Sequence, residues 1–292
     1  MPDPKSPRRW SVEQRLGFIE RRLYWDGRIN RADLMNHFAI SVPQASADLK
    51  MYDTRAPGNL AYDLRAKTYV AAQGMQPQLV TPSAREYLAQ LQLIADGVLQ
   101  GEDSWLGTIP SFGTVPRVRR RLPASVLQRV LWALRNEVSL EIDYQSLSSP
   151  DPTRRWISPH ALSFDGFRWH ARAWCHSRER FLDFVLARIL HIGASAPRRA
   201  NPQSDHAWHK TIRLRLAPNP ALSPAQQRVV ELDFGMAEGI VEIEVRLCLV
   251  YYFKRQMLLD LDPSELPPGR VQLVLLNSSD VDAALAEVGE ST

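Results

Sequence analysis

Residues 160–175 read HALSFDGFRWHARAWC, and their alternation decides the fold class of the middle of the chain. A two-residue period on either side of Asp165-Gly166 predicts a β-hairpin with a tight turn. In the second strand Phe167, Trp169, Ala171, Ala173 and Cys175 share one face, while Arg168, His170, Arg172, Trp174 and His176 share the other. The apolar set is expected to pack inward, Trp169 included. Upstream, Leu140, Ile142 and Tyr144 alternate with Glu141 and Asp143 in another half-buried strand, and a polar loop follows over 145–155. Downstream, the apolar stretch from Phe181 to Ile192 carries Arg188. Short strands at this spacing predict a small, strongly curved sheet or barrel. Pro123 opens a helix ahead of it, with Val126, Leu127, Val130, Leu131 and Leu134 on its apolar stripe.

The N-terminal segment carries a different pattern. Ser11 followed by Gln14 reads as a capping box, with Val12, Leu16, Ile19 and Leu23 at helical spacing behind it. Asp26-Gly27 ends that helix. Asn30 can cap a second short helix holding Leu34 and Phe38. Ser41 with Gln44 is a further capping box, and it opens a third helix through roughly Tyr52, with Pro43 in the first turn. After Pro57-Gly58, residues 60–64 and 68–70 read as two short strands around Arg65-Ala66-Lys67. Three helices and then a basic hairpin is the order of a winged helix-turn-helix. A recognition helix brings its positive N-terminal end and small polar side chains to base edges. The candidate DNA-contacting residues are Ser41, Pro43, Gln44, Ser46, Ala47 and Lys50 on the helix, with Arg65 and Lys67 on the hairpin. Gln44 can pair with adenine through two hydrogen bonds. A three-helix domain that binds a protein is the alternative.

Residues 81–100 predict another helix, with a Ser83/Glu86 capping box and a stripe of Leu88, Leu91, Ile94 and Val98. It joins domains, pairs with a twin, or packs within its own chain. Residues 101–116, GEDSWLGTIPSFGTVP, read as a loop or linker. The arginine run Arg117, Arg119, Arg120 and Arg121 follows. From about residue 210 the chain is mixed α+β. Ile212, Leu214 and Leu216 alternate, Ser223-Pro224 with Gln226 starts a helix, and Ile240 to Leu249 predicts a strand. A helix over 251–261, a strand over 271–276 and a last helix over 279–288 complete it.

The 292 residues are 45% hydrophobic, enough for globular cores and long enough for two or three domains. No apolar run reaches the roughly 18 residues of a membrane span. MPDPKSPRRW lacks an apolar stretch behind its charges, so no signal peptide is visible. Two cysteines, Cys175 and Cys248, make no disulfide framework and suit a cytoplasmic protein. The net charge of +4 is unevenly spread: residues 111–215 carry 18 Lys+Arg against 8 Asp+Glu, while residues 216–292 carry 5 against 12. The basic block reads as a polyanion binder or a solvated face. The acidic segment could dimerise against it.

The middle stretch, RWHARAWC at 168–175 and RERFLDFVLARI at 178–189, resembles the WYL domain of bacterial transcription regulators. Trp169-His170-Ala171 stands where the family has Trp-Tyr-Leu, a departure similar to the CapW/BrxR-type repressors of phage-defence operons. Tyr144 and Ser146, the Ser158-Pro159-His160 triplet, and Arg188-Ile189 agree, as does the winged-helix stretch from Ser41 to Val70. The resemblance implies an α+β multidomain chain. A winged helix-turn-helix would occupy 1–80, a helical linker 81–135, an Sm-like WYL barrel 136–205, and an α+β extension for dimerisation 206–292. It also implies a pocket of Tyr144, Ser146, His160, Trp169, His170, Arg172 and Arg188. Two guanidiniums could clamp phosphate oxygens, and Trp169 could stack on a base. Pairing of Arg172 and Arg188 with Asp183 or Asp143 inside the fold is the competing reading.

The implied function is a homodimeric repressor that reads an inverted-repeat duplex and senses a nucleotide or oligonucleotide, with no membrane partner. A single-stranded nucleic-acid module or an activator are the alternatives. P-loop, HExxH and nucleophile-elbow patterns are missing. His170, Cys175 and His176, like His206 and His209, lack zinc-ligand spacing. The expectation is therefore a non-enzyme without metal or cofactor.

Overall fold

The structure is a computed structural model that describes residues 7–116, 118, 120–262 and 266–289, with side chains from Val12 onward. The chain divides into two compact units, 1–117 and 118–292.

The first unit begins with α1 (Pro7–Asp26), β1 (Arg28–Ile29), α2 (Arg31–Phe38) and α3 (Val42–Arg55). The hairpin β2 (Leu60–Asp63) and β3 (Thr68–Ala71) follows, and then α4 (Ala84–Ala95). Helix α1 starts at Pro7, so Ser11 lies inside the helix rather than capping it. The helix continues upstream of the predicted start, and a cap signal read locally does not reveal that. Asn30 caps α2 as expected, and Asp33 returns the bond to complete a capping box. Ser41 and Ser83 accept from the backbone N–H of Gln44 and Glu86. Gln44 does not return the bond, because its amide turns to Asp48 instead. Strand β3 lies between β1 and β2, all antiparallel. Leu16, Ile19, Leu23, Ile29, Leu34, Leu49 and Tyr52 form the core.

Two buried acids brace this core. Asp48 holds Arg15 through bonds of 2.6 and 3.2 Å, tying α3 to α1. Glu20 accepts from the Tyr52 hydroxyl and from the backbone N–H groups of Gln78, Leu79 and Val80, at 2.7–3.1 Å. A buried carboxylate with that many donors is satisfied, and it pins the chain leaving the wing.

The second unit opens with α5 (Ala124–Asn136), which starts directly after Pro123 as expected. Five antiparallel strands follow: β4 (Val138–Tyr144), β5 (Thr153–Phe164), β6 (Trp169–Cys175), β7 (Arg180–Val185) and β8 (Ile189–Pro197). Their order is β7-β6-β5-β4-β8. Irregularities at Pro159/Ala161 in β5 and at two points in β4 bend the sheet. Strands β4 and β7 are three positions apart, roughly 14 Å in a flat sheet. Yet the Tyr144 and Phe184 rings meet at 5.2 Å, and the Val185 N–H donates to the Tyr144 hydroxyl at 3.2 Å. The sheet therefore curls on itself around Leu140, Ile142, Ile157, Ala171, Ala173 and Ile189, with α5 packed against it.

The chain continues through α6 (His206–His209), β9 (Thr211–Pro218), α7 (Pro224–Phe234), β10 (Val241–Arg246), α8 (Leu247–Gln256), β11 (Leu273–Leu275) and α9 (Ser278–Glu287). Strand β9 is central, between β10 and β11. The strand expected over 240–249 stops at Arg246, because Leu247, Cys248 and Val250 turn into a helix that buries them. Leu214 and Leu216 face the helices, while Arg213 and Arg215 face outward and meet Glu242. So part of the acidic segment is paired within its own sheet.

Removing the Asp48 carboxylate leaves the mostly buried Arg15 guanidinium without its strongest partner. Asp48→Ala is expected to destabilise the first unit by about 3 kcal/mol. Denaturant unfolding followed by circular dichroism checks it, and a loss below about 1 kcal/mol contradicts the bracing role.

Candidate functional site

Helix α3 presents its N-terminal half outward. Ser41, Pro43, Ala47 and Lys50 are exposed, and Gln44 and Ser46 are half-buried. The Gln44 Nε2 donates to Asp48 Oδ1 at 2.9 Å. Thus the buried ion pair that anchors the helix also orients the amide at its surface. The hairpin tip is ordered by Asp63, whose carboxylate accepts from the N–H groups of Arg65 and Ala66 at 2.8 and 3.0 Å. Lys67 takes a left-handed backbone at φ 53° to close the turn. Arg65 and Lys67 stand exposed beside Tyr62. The fold thus brings an exposed helix face and a basic wing into one unit.

The seven barrel residues fall into separate groups. Tyr144, Ser146 and Arg188 lie at one end of the β4–β8 pair, where the Gln145 N–H donates to the Arg188 carbonyl. Arg155 joins them, its guanidinium 5.9 Å from the centre of the Tyr144 ring. His160 and Arg172 converge on Asp205. His160 Nε2 is 2.9 Å from Oδ2, and Arg172 reaches the two oxygens at 2.8 and 3.0 Å. Asp183 lies 3.6 Å from the same guanidinium. Pairing of Arg172 with Asp183 inside the fold is therefore present, with Asp205 the nearer partner. His170 is buried against Asp165 at 3.0 Å and against the Tyr252 ring on α8 at 5.1 Å.

Trp169 does not pack in the core: it is 51% exposed and leans on Phe164 at 5.0 Å. Both faces of β6 are covered beyond this residue, and only its first position, at the hairpin mouth, stays open. Phe167, expected inward, is exposed in the turn.

Burial by itself would raise the carboxyl of Asp205, but the hydrogen bonds from His160 and Arg172 hold it far below the usual range. Asp165 is likewise held down to about 2, against its burial, by His170, the Phe167 N–H and Arg168. Burial and the Asp183 charge push the Tyr252 hydroxyl up, so it remains a donor to Asp183 at 3.3 Å. Asp183 is the partner that the sequence offers for Arg172, whereas no sequence pattern marks Asp165, Asp205 or Tyr252 as site residues. Asp165 and Asp205 are isolated acids in loops, without periodicity to flag them. Beside this network a cleft of about 500 Å³ is lined by Arg172, Trp174, Arg180, Phe181, Asp205 and His206 among others. Among the described residues, no three His, Cys, Asp or Glu side chains group as metal ligands. Among them also, no helix is long and apolar enough to cross a membrane.

The chain is 40% identical over 282 residues to the DNA-binding transcriptional repressor CapW of Stenotrophomonas maltophilia, covering 96% of this chain and 94% of that one. The chain belongs to the CapW family. The corresponding repressor of Escherichia coli is 39% identical, with 96% and 93% covered, and that of Pseudomonas aeruginosa is 39% identical, with 94% and 91% covered. Residues 11–93 match the BrxR transcriptional regulator winged helix-turn-helix domain, 125–193 the WYL domain, and 211–281 the BrxR C-terminal dimerization domain. The family is one of regulators rather than enzymes. Among solved structures, proteasome accessory factor B/C of Arthrobacter aurescens aligns at 14% identity and TM-score 0.28. That alignment covers 99% of this chain and 51% of the other, so the chain spans about half the length of that protein.

The depressed Asp165 carboxyl fixes the sign of one pH effect. The folded form holds its proton less tightly than the unfolded chain, whose carboxyl titrates near the usual value of about 4. The stabilisation is therefore complete above that value and is lost as pH falls toward about 2. Asp165→Asn is expected to lower Tm at about pH 7 and to flatten the fall of Tm between about pH 4 and about pH 2. Thermal melts across that window decide it, and an unchanged acid slope contradicts the assignment.

Proposed function

We propose that the protein is a homodimeric, sequence-specific DNA-binding transcriptional repressor of a phage-defence operon. Its WYL domain would sense a nucleotide or nucleic-acid ligand. The observation that carries the DNA-binding reading is the exposed N-terminal half of α3 beside the Asp63-ordered basic wing, within a match to a winged helix-turn-helix domain. Ser41, Pro43, Gln44, Ser46, Ala47 and Lys50 would enter the major groove, with Arg65 and Lys67 on phosphates or the minor groove. Repression is supported by the names of the relatives, each called a DNA-binding transcriptional repressor. A two-fold protein matches a two-fold operator, so each protomer would read one half-site of an inverted repeat.

The ligand reading concerns Tyr144, Ser146, His160, Trp169, His170, Arg172 and Arg188. Its best-placed members are Trp169, whose face is open to stacking, and Arg188, which is half-buried at the end holding Tyr144 and Ser146. Arg172, His160 and His170 would act from beneath, through the acids they hold.

The test is a mobility-shift titration of the full chain. Its upstream duplex, a scrambled duplex and a single strand are compared at two salt concentrations. Tight binding to the upstream duplex alone, persisting at the higher salt, is expected. Equal binding to all three that collapses with salt contradicts the repressor reading and favours a single-strand module. Arg65→Ala is expected to weaken binding to every duplex and to reduce the salt slope by about 1 for the phosphate that the arginine neutralises. Gln44→Ala should relax preference at one base pair, costing about 1–3 kcal/mol of discrimination.

A further inference from the structure

Helix α7 carries an apolar row that its own protomer leaves uncovered. Val230 faces the core, buried beside Leu216 and Leu273. On the opposite side Leu232 is 82% and Val229 is 56% exposed. Ala225 is exposed ahead of them. Positions 225, 229 and 232 advance by four and three, the spacing of a coiled-coil seam. A solvent-facing helix of a closed protomer has no need of such a row.

The flanking charges say what covers it. With Val229 and Leu232 as the two seam positions of one heptad, Arg228 and Asp233 border the seam on opposite sides. Both are exposed, and among the described residues neither has an ion-pair partner within its protomer. In a parallel helix pair, a residue in Arg228's position meets the residue five further on in the partner helix, here Asp233. Two-fold symmetry makes that contact twice. In an antiparallel pair Arg228 would instead approach its own copy, so the charges select the parallel arrangement. A β-branched residue followed by leucine at the two seam positions also favours a two-stranded parallel pair.

We propose that α7 pairs in parallel with α7 of a second copy of this chain, around a two-fold axis running along the helix. Val229 and Leu232 form the dry centre, and reciprocal Arg228–Asp233 pairs close its sides. The helix lies within the stretch matching a C-terminal dimerization domain, so the seam is continuous with a region already linked to self-association. The inference rests on the homodimer reading and adds the surface, the orientation and the register to it.

The experiment uses the full chain. Leu232→Cys places a thiol where the two helices are nearest, and both native cysteines are buried. Mild oxidation is expected to give a covalent dimer from this variant and none from the wild type. Arg228→Asp and Asp233→Arg are each expected to raise the dimer dissociation constant about tenfold, by placing like charges together twice. Combining them should restore dimerisation. Sedimentation velocity reads the constants, and unchanged circular dichroism shows that each protomer is folded, since none of these side chains is in the core. If the wild type is a dimer while Leu232→Cys fails to cross-link and the reversals change nothing, the seam is wrong and the homodimer stands. A monomeric wild type overturns both.

Discussion

Asp205 is the residue on which the second unit turns. Its carboxylate is 1% exposed, and its two side-chain donors come from distant parts of the chain. His160 reaches it from β5, Arg172 from β6, and the Trp208 N–H from the start of α6. A charge taken out of water is tolerated only when paired and fully hydrogen-bonded. Meeting that requirement fixes the point at which the chain leaves the curved sheet and enters the C-terminal segment. Asp183 extends the same logic, with Arg172 on one side and the Tyr252 hydroxyl of α8 on the other. The barrel and the C-terminal helices are thereby held by a polar chain as well as by apolar packing. The partners are specific, so slippage of α8 along the sheet would take the Tyr252 hydroxyl away from Asp183.

The first unit solves a similar problem on a smaller scale. Asp48 is fully buried, yet it lies one helical turn from Gln44 on the exposed face of α3. Arg15 makes that burial tolerable, and the remaining acceptor capacity of Asp48 holds the Gln44 amide. A glutamine on a free helix surface samples many rotamers, and ordering it on contact costs conformational entropy. Held by Asp48, Gln44 begins with one orientation. The same acid serves helix packing and the positioning of a side chain at the surface.

How much of this was legible in the sequence follows from the range of each interaction. Caps are local, and Asn30, Ser83, Pro123 and Ser223 each sit at the helix start that the pattern indicated. Ser11 failed because a serine with a glutamine three residues on does not stop a helix that continues upstream. Strand alternation placed Leu140, Ile142, Ala171 and Ala173 in the core. It misplaced Trp169, because alternation predicts a face and cannot tell where along the strand the cover ends. His170 and Arg172 sit on the polar face of β6 and are still buried, each beside an acid. That acid lies 33 residues away for Arg172, beyond the reach of any periodicity. The family resemblance placed these residues in a polar site and the sequence offered Asp183 to Arg172, while the fold alone adds Asp205 and Asp165.

Those carboxylates bear on what a sensing barrel could respond to. On the ligand reading, an anionic effector reaching Arg172 would compete with Asp205 and Asp183 for one guanidinium. Binding would then release a buried carboxylate, which must rehydrate, take a proton or find another donor. The effector's contacts are offset by that loss, so its net preference for the altered state is smaller than its gross affinity for arginine. Shifting a two-state equilibrium from about 1:99 to about 99:1 needs about 5.5 kcal/mol of differential binding. A single phosphate exchanged for a single carboxylate does not supply that difference, because the two anions are similar partners for arginine. The remainder has to come from contacts that exist only with the effector. Trp169, open at the hairpin mouth, and Arg188, half-buried at the end of β4, are side chains with room to make them. A ligand carrying both an aromatic ring and more than one negative charge fits that requirement better than inorganic phosphate does.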